Sequence, residues 1–438
     1  MDDQLRALER RAQQDPADHA VLRALAIAYA KGGHHLKAWR QWCLLARQGD
    51  PEALQQLEQA PEGLRRSPGL SQRREFASRV DPIEGGVGTE ALVVRVNQEL
   101  LCLDSEDLSE RWRQVVPAGA AGRCGPYVVH LGSAEPPMLV VREATTGQAV
   151  AEMSLGDQEA PVAYVRSDVG HAAVWIRPHL PGWHEWVLVL DLTSTPPTVI
   201  SRLDTAKVGV DAELVCASSL LCDDQRTDDR GVVALAYGDG SERWKSEGGV
   251  VAGDARGAIL VSWEDDPDEP SKEIWEVDPG SGQTRWRRES GVNKRPGPLL
   301  LTPNLLVHAT HREPWHATCP GDDEFMVSAF DRASGALRWQ YQEHMGRHAT
   351  LGSAVAKDVA YIAVCGVERS PEAPPKLLQC RLLALDLLSG DLLFECPLEV
   401  PPRGRFGPRV SLFPLPEALA VLVSSDGSAR LDLLRARE

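Results

Sequence analysis

The chain has 438 residues, 43% of them hydrophobic, with 47 Lys and Arg against 63 Asp and Glu for a formal net charge of −16. That apolar content supports a full core and excludes a disordered protein, while the length exceeds an ordinary compact domain unless the architecture is a repeat or a large barrel. The acidic balance argues against a nucleic-acid or anionic-membrane binder, whose phosphates call for clustered Lys and Arg, and suits a solvated protein with basic partners.

The first residues, Met1-Asp2-Asp3-Gln4-Leu5-Arg6, run into a charged helix rather than the basic start and apolar stretch of a secretory signal. No window of about 18 apolar residues occurs, so no membrane-spanning helix is expected. Nine cysteines are scattered singly with no C-x-x-C spacing, which reads as reduced, mostly buried thiols and a cytoplasmic location.

Residues 1–60 read as a helical segment. Leu22, Leu25 and Tyr29 stripe one predicted helix, Gly33 permits a turn, and Ala38 with Trp42 stripe a second. With Ala26 and the closing Asp50-Pro51, the span 19–50 resembles one tetratricopeptide (TPR) repeat, although Leu22 stands where that family often has Trp. A single unit cannot bury its own face, so the resemblance implies a docking or capping bundle rather than a full peptide groove. Residues 61–74, rich in Pro and Gly, read as a linker.

Residues 75–438 change to the period of strands, and one phrase recurs. An apolar strand ends in Asp, a Ser/Gly turn follows, and a second strand carries an aromatic. Asp278 through Gly282 to Trp286 and Asp331 through Gly335 to Trp339 are clean copies. Asp386 to Phe394 replaces Trp by Phe, Asp104 to Trp112 has Leu108 in place of Gly, and Ala236 to Trp244 lacks the Asp. Glu143 and Asp191 begin degenerate copies without the aromatic. The anchors are 39 to 55 residues apart, as expected for four-stranded propeller blades with variable loops.

The Asp is expected to accept backbone N–H groups of its turn, and the Gly to take φ > 0. The aromatic is expected on one strand face with the apolar residue two before it (Leu337 with Trp339), packed on the neighbouring blade. The Arg before each Trp would face outward and blunt an edge strand.

The pattern resembles the PQQ-like (quinoprotein-type) propeller repeat. The implied fold is mainly β, a seven- or eight-bladed β-propeller after a short TPR-like segment. Eight is favoured because a strand near Glu75 to Val80 would complete the last unit, which lacks its own final strand. The family includes PQQ-dependent dehydrogenases as well as non-catalytic scaffolds. Those enzymes resemble one another in an adjacent-cysteine disulfide, and no Cys-Cys pair occurs here, so quinone catalysis is not favoured.

Two features point to a site. Acidic stretches fall between the second and third strands of successive units: Asp223, Asp224, Asp228 and Asp229; then Asp265, Asp266, Asp268 and Glu269; then Asp322 and Asp323. Long insertions at 179–186, with Trp183 and Trp186, and at 368–376 fall in the same kind of loop. These make a surface for a protein partner with a basic patch, with no nucleic acid and no membrane among the partners. Separately, His308, His311, His316 and Cys319 have nitrogen and sulfur donors at short spacing and could hold zinc; no other cofactor is expected. The resulting readings are a non-catalytic interaction scaffold in a larger bacterial complex, a metal- or ligand-responsive sensor, and, least favoured, a divergent enzyme.

Overall fold

A computed structural model describes residues 18–31 and single positions of the preceding and following helical segments (5, 7, 8, 11, 12, 38, 42, 45 and 50–53). Within 68–436 it describes all but 79, 84–90, 117–120, 133–137, 156–161, 168–169, 178–185, 205–209, 217–218, 225–230, 255, 263–272, 290–295, 311–323, 345–347, 357, 371–372, 401–408, 416–417 and 426.

Helix α1, His19–Lys31, begins where Asp18 accepts the N–H groups of Ala20 and Val21 at 3.0 and 3.1 Å, an N-cap that satisfies two otherwise orphaned donors. Its Leu22 and Ala26 pack on Trp42, Leu45 and Ala53, and its Leu25 and Tyr29 on Ala38. Asp50 is buried, capping Glu52 and Ala53 and pairing with Arg23 of α1. The N–H of Ala53, then Arg23, lower its pKa.

The rest is a β-propeller of eight four-stranded sheets. Blades one to seven are sequential antiparallel meanders: 80–115, 121–154, 162–204, 210–247, 249–289, 296–344 and 348–397. Blade eight takes three strands from 409–436 and its outer strand, Pro68–Phe76, from the other end of the chain. That strand begins inside the stretch read as linker, so the propeller starts at 68 rather than 75. Eight apolar clusters, each shared by two consecutive blades, form the core.

The recurring phrase sits at the third-to-fourth-strand turn. In blade six Asp331 accepts the Ser334 N–H at 3.0 Å, and in blade five Asp278 accepts Gly280 and Ser281 at 3.1 and 2.9 Å. Each following Trp then donates from Nε1 to a carbonyl in the next blade's turn: Trp112 to Ala144 at 2.9 Å, Trp244 to Pro279 at 3.1 Å, Trp286 to Arg332 at 2.8 Å and Trp339 to Leu387 at 2.7 Å. The acceptor is always the residue after the turn's anchor. Gly335 therefore answers two demands. Its φ is +68°, and a Cβ there would lie 2.7 Å from the Trp286 ring.

The Arg before the Trp behaves differently from expectation. The ladder shifts register between Trp339 and Leu337, so Arg338 is bulged, and the same happens at Arg111 and Arg285. The bulge turns each Arg back onto its own turn, where Arg111 meets Asp104 at 2.7 Å, Arg285 meets Asp278 at 3.0 Å and Arg338 reaches Asp331. Arg338, then Ser334, hold the Asp331 carboxyl at about 2. The bulge also separates Leu337 from Trp339: Leu337 is 54% exposed and Trp339 is buried.

Leu108 occupies the turn's Gly position in blade one at φ +57°. The preceding blade presents no Trp there, and Leu108 instead fills the cluster between blades eight and one. A Leu in the left-handed region costs about 1–2 kcal/mol, which burial of the side chain offsets. Both Leu108→Ala and Leu108→Gly should destabilise, with the Gly variant about 1 kcal/mol the more stable because it alone releases the strain. Urea midpoints check the order; an Ala variant above the Gly variant would contradict it.

Candidate functional site

From blade two to blade eight the first strands adjoin one another in succession, and each blade is a meander, so their second and third strands meet at one face. Residues 225–230, 263–272 and 311–323 connect those two strands in three consecutive blades, four to six. Asp223 and Asp224 end the second strand of blade four (Ser219–Asp224), at this face. Asp228, Asp229, Asp265, Asp266, Asp268, Glu269, Asp322 and Asp323 lie outside the described residues, as does Trp183.

The structure corrects two parts of this surface. Trp186 is buried, 4% exposed, as the first residue of a strand (Trp186–Asp191), packed in the cluster between blades two and three with the Arg202 guanidinium 3.7 Å from its ring centroid. It belongs to the core rather than to an exposed insertion. The 368–376 insertion is no free loop either: the middle strands of blade seven, Val359–Ser370 and Ala373–Asp386, extend as a hairpin in which Glu368 pairs with Lys376 and Ser370 with Ala373.

His308 sits in the second strand of blade six (Leu305–Thr310) rather than in a loop. It is buried, its Nε2 has no hydrogen-bond partner, and burial lowers its pKa to about 4, leaving a neutral imidazole near pH 7. His311, His316 and Cys319 lie outside the described residues, among which no group of three or more His, Cys, Asp or Glu side chains is placed to hold a metal.

A second site was not anticipated from the sequence. In the repeat, the residue two before the anchor is apolar or Cys (Cys102, Val141, Val189, Ala234, Ala329, Ala384), and the residue after it is Ala144, Leu192, Tyr237, Pro279 or Leu387 in five blades. At the junction of blades five and six these positions hold Glu276 and Arg332, whose side chains are 1% and 4% exposed. Arg332 donates to Glu276 at 2.8 Å and to Asp254 at 2.6 and 3.0 Å, and Arg285 reaches Glu276 at 3.3 Å. Gly257 makes room for the acid, since a Cβ there would lie 2.0 Å from the Glu276 carboxylate.

Burial lowers the Arg332 pKa, but the bonds to Asp254 and Glu276 raise it further, so the guanidinium stays charged. Burial raises the Asp254 pKa, while Arg332 and two backbone N–H groups lower it by more. The apolar cluster at this junction is the smallest of the eight formed by the described residues. Beside the network opens a cavity of about 560 Å³ lined by Arg256, Arg285, Arg332 and Arg338 with Glu276 and Asp331. Its turns join first to second and third to fourth strands, which puts it on the face opposite the acidic connections.

Eight four-stranded antiparallel blades, four of whose junctions are clasped by the Trp and Gly of a repeated turn, define the class: the chain is a β-propeller, and its repeat is similar to the PQQ-like one. Residues 228–411 match the family model described as outer membrane protein assembly factor BamB. No curated protein matches the sequence. Among solved structures the chain is similar to BamB from Moraxella catarrhalis, at 14% identity over 84% of this chain and 99% of that one, with a TM-score of 0.45. It is also similar to Sqt1 from Saccharomyces cerevisiae (8% identity, 85% and 99% covered, TM-score 0.48) and to quinohemoprotein alcohol dehydrogenase from Comamonas testosteroni (11%, 86% and 78%, TM-score 0.47).

Proposed function

We propose that this chain is a non-catalytic protein-interaction scaffold, a subunit or regulator of a larger bacterial complex, that presents its acidic second-to-third-strand face to a partner with a basic surface. The observation that carries the reading is positional. In three consecutive blades the second strand ends and the third begins at one face of the ring, and the sequence between them is rich in Asp and Glu each time. The N-terminal helices, read as a TPR-like docking element, supply a second contact. A cytoplasmic setting belongs to the same reading, from nine cysteines scattered singly along the sequence with no C-x-x-C spacing.

The experiment is capture of the tagged full-length chain from its native host, in parallel with a variant carrying Asp265→Asn, Asp266→Asn, Asp322→Asn and Asp323→Asn. A specific partner held by the wild type should be reduced by about tenfold or more in the variant, with an unchanged melting temperature. Equal recovery of that partner by the folded variant rules out the acidic face as its docking surface.

A further inference from the structure

We propose that the cavity between blades five and six is a binding site for a small anion carrying a carboxylate or phosphate group. The inference is independent of the acidic face, because the cavity opens on the other side of the ring.

The first support is the departure from the repeat. A buried ion network is not needed to fasten two blades, since the other five junctions among blades one to seven place apolar side chains or Cys at the same two positions. Well-packed apolar residues in place of a buried ion pair are often neutral or stabilising. Rule-breaking at one position of a regular repeat is a mark of a functional site.

The second support is what the network leaves facing the cavity. Four guanidiniums line it against two carboxylates, while Asp254 and Asp278 neutralise from behind. Glu276 is saturated by Arg332 and Arg285, and Asp331 by Arg338, so neither acid is free to attract a cation. Among the described residues Arg256 has no carboxylate in its pairing: its Nη1 donates to the Pro303 carbonyl at 2.9 Å.

These bonds orient the forks before any ligand arrives. Planar guanidiniums held in place match the oxygens of carboxylate and phosphate, which lowers the ordering cost of binding. The volume of about 560 Å³ is that of a small-ligand pocket.

The test uses the full-length chain and two probes, inorganic phosphate and succinate, with sodium chloride at equal ionic strength as the control. One probe should raise the melting temperature by roughly 2 °C or more above the chloride control; which one does so separates a phosphate ligand from a carboxylate ligand. The double variant Arg256→Gln/Arg338→Gln, which leaves the Asp254–Arg332–Glu276 network in place, should lose that shift. A second readout in the wild type removes dependence on the variant's folding: the effective anion should slow phenylglyoxal modification of Arg256 and Arg338 severalfold, read by peptide mass spectrometry. No shift beyond chloride with either probe, a shift the variant retains, or unprotected arginines would overturn the proposal.

Discussion

Trp286→Ala lowers the stability of the propeller by about 3–5 kcal/mol, the range for deleting a buried large aromatic. Trp286 is 7% exposed, closes the cluster between blades five and six, and donates to the Arg332 carbonyl at 2.8 Å. Trp286→Phe keeps most of the ring contact and loses the donor, for a cost nearer 1 kcal/mol. Leu337→Ala, a change in the matching strand of the next blade, should be nearly silent because that side chain is 54% exposed. Urea unfolding of the three variants gives the order directly. A silent Trp286→Ala would mean that the clasp does not fasten the blades.

Arg332→Leu is expected to cost a similar amount, about 3–5 kcal/mol, for a different reason. Removing the guanidinium leaves the buried Glu276 with only the longer contact from Arg285 at 3.3 Å, beside an Asp254 that keeps two backbone N–H donors and no guanidinium. Replacing both partners, Glu276→Leu with Arg332→Leu, should recover most of the loss, since the other five junctions among blades one to seven hold apolar residues or Cys at these positions. The pH dependence follows from Asp254. Its folded pKa lies below the ordinary value, so its contribution is complete above pH ~4 and is lost as the pH falls through the folded pKa; Arg332→Leu should flatten that acid limb. A single variant as stable as the wild type would show that the network carries no strain-bearing charge.

Much of the fold is legible in the residues because the repeat states its physics locally. Asp, Gly and Trp each perform one task within a few residues, and the spacing of the copies gives the blade. Even the closing of the ring by an N-terminal strand follows from the missing outer strand of the last unit, although Pro68 and Gly69 disguise where that strand begins. Leu337 and the bulged arginines were misplaced for one reason: a single extra residue in a strand reverses the faces beyond it, and simple alternation does not reveal it.

The candidate sites divide along the same line. The acidic stretches are visible in sequence because charge runs are local, and the topology adds that the strands flanking them end at one face. Trp186 reads in the sequence as part of the insertion because nothing local marks the start of the strand Trp186–Asp191. The Glu276–Arg332–Asp254 network joins positions 56 and 78 apart in sequence and is invisible to any local motif. Aligning the repeats column by column would have exposed it, since Glu276 stands where Val141, Val189 and Ala329 stand in other blades.

The most direct test of the scaffold reading is a titration of the purified chain with the partner recovered from the native host, run from low to high salt for the wild type and for the four-Asn variant. Wild-type affinity should fall by about tenfold or more as salt rises, while the variant should start weak and depend little on salt. An affinity indifferent to salt and untouched by the four substitutions would contradict that reading.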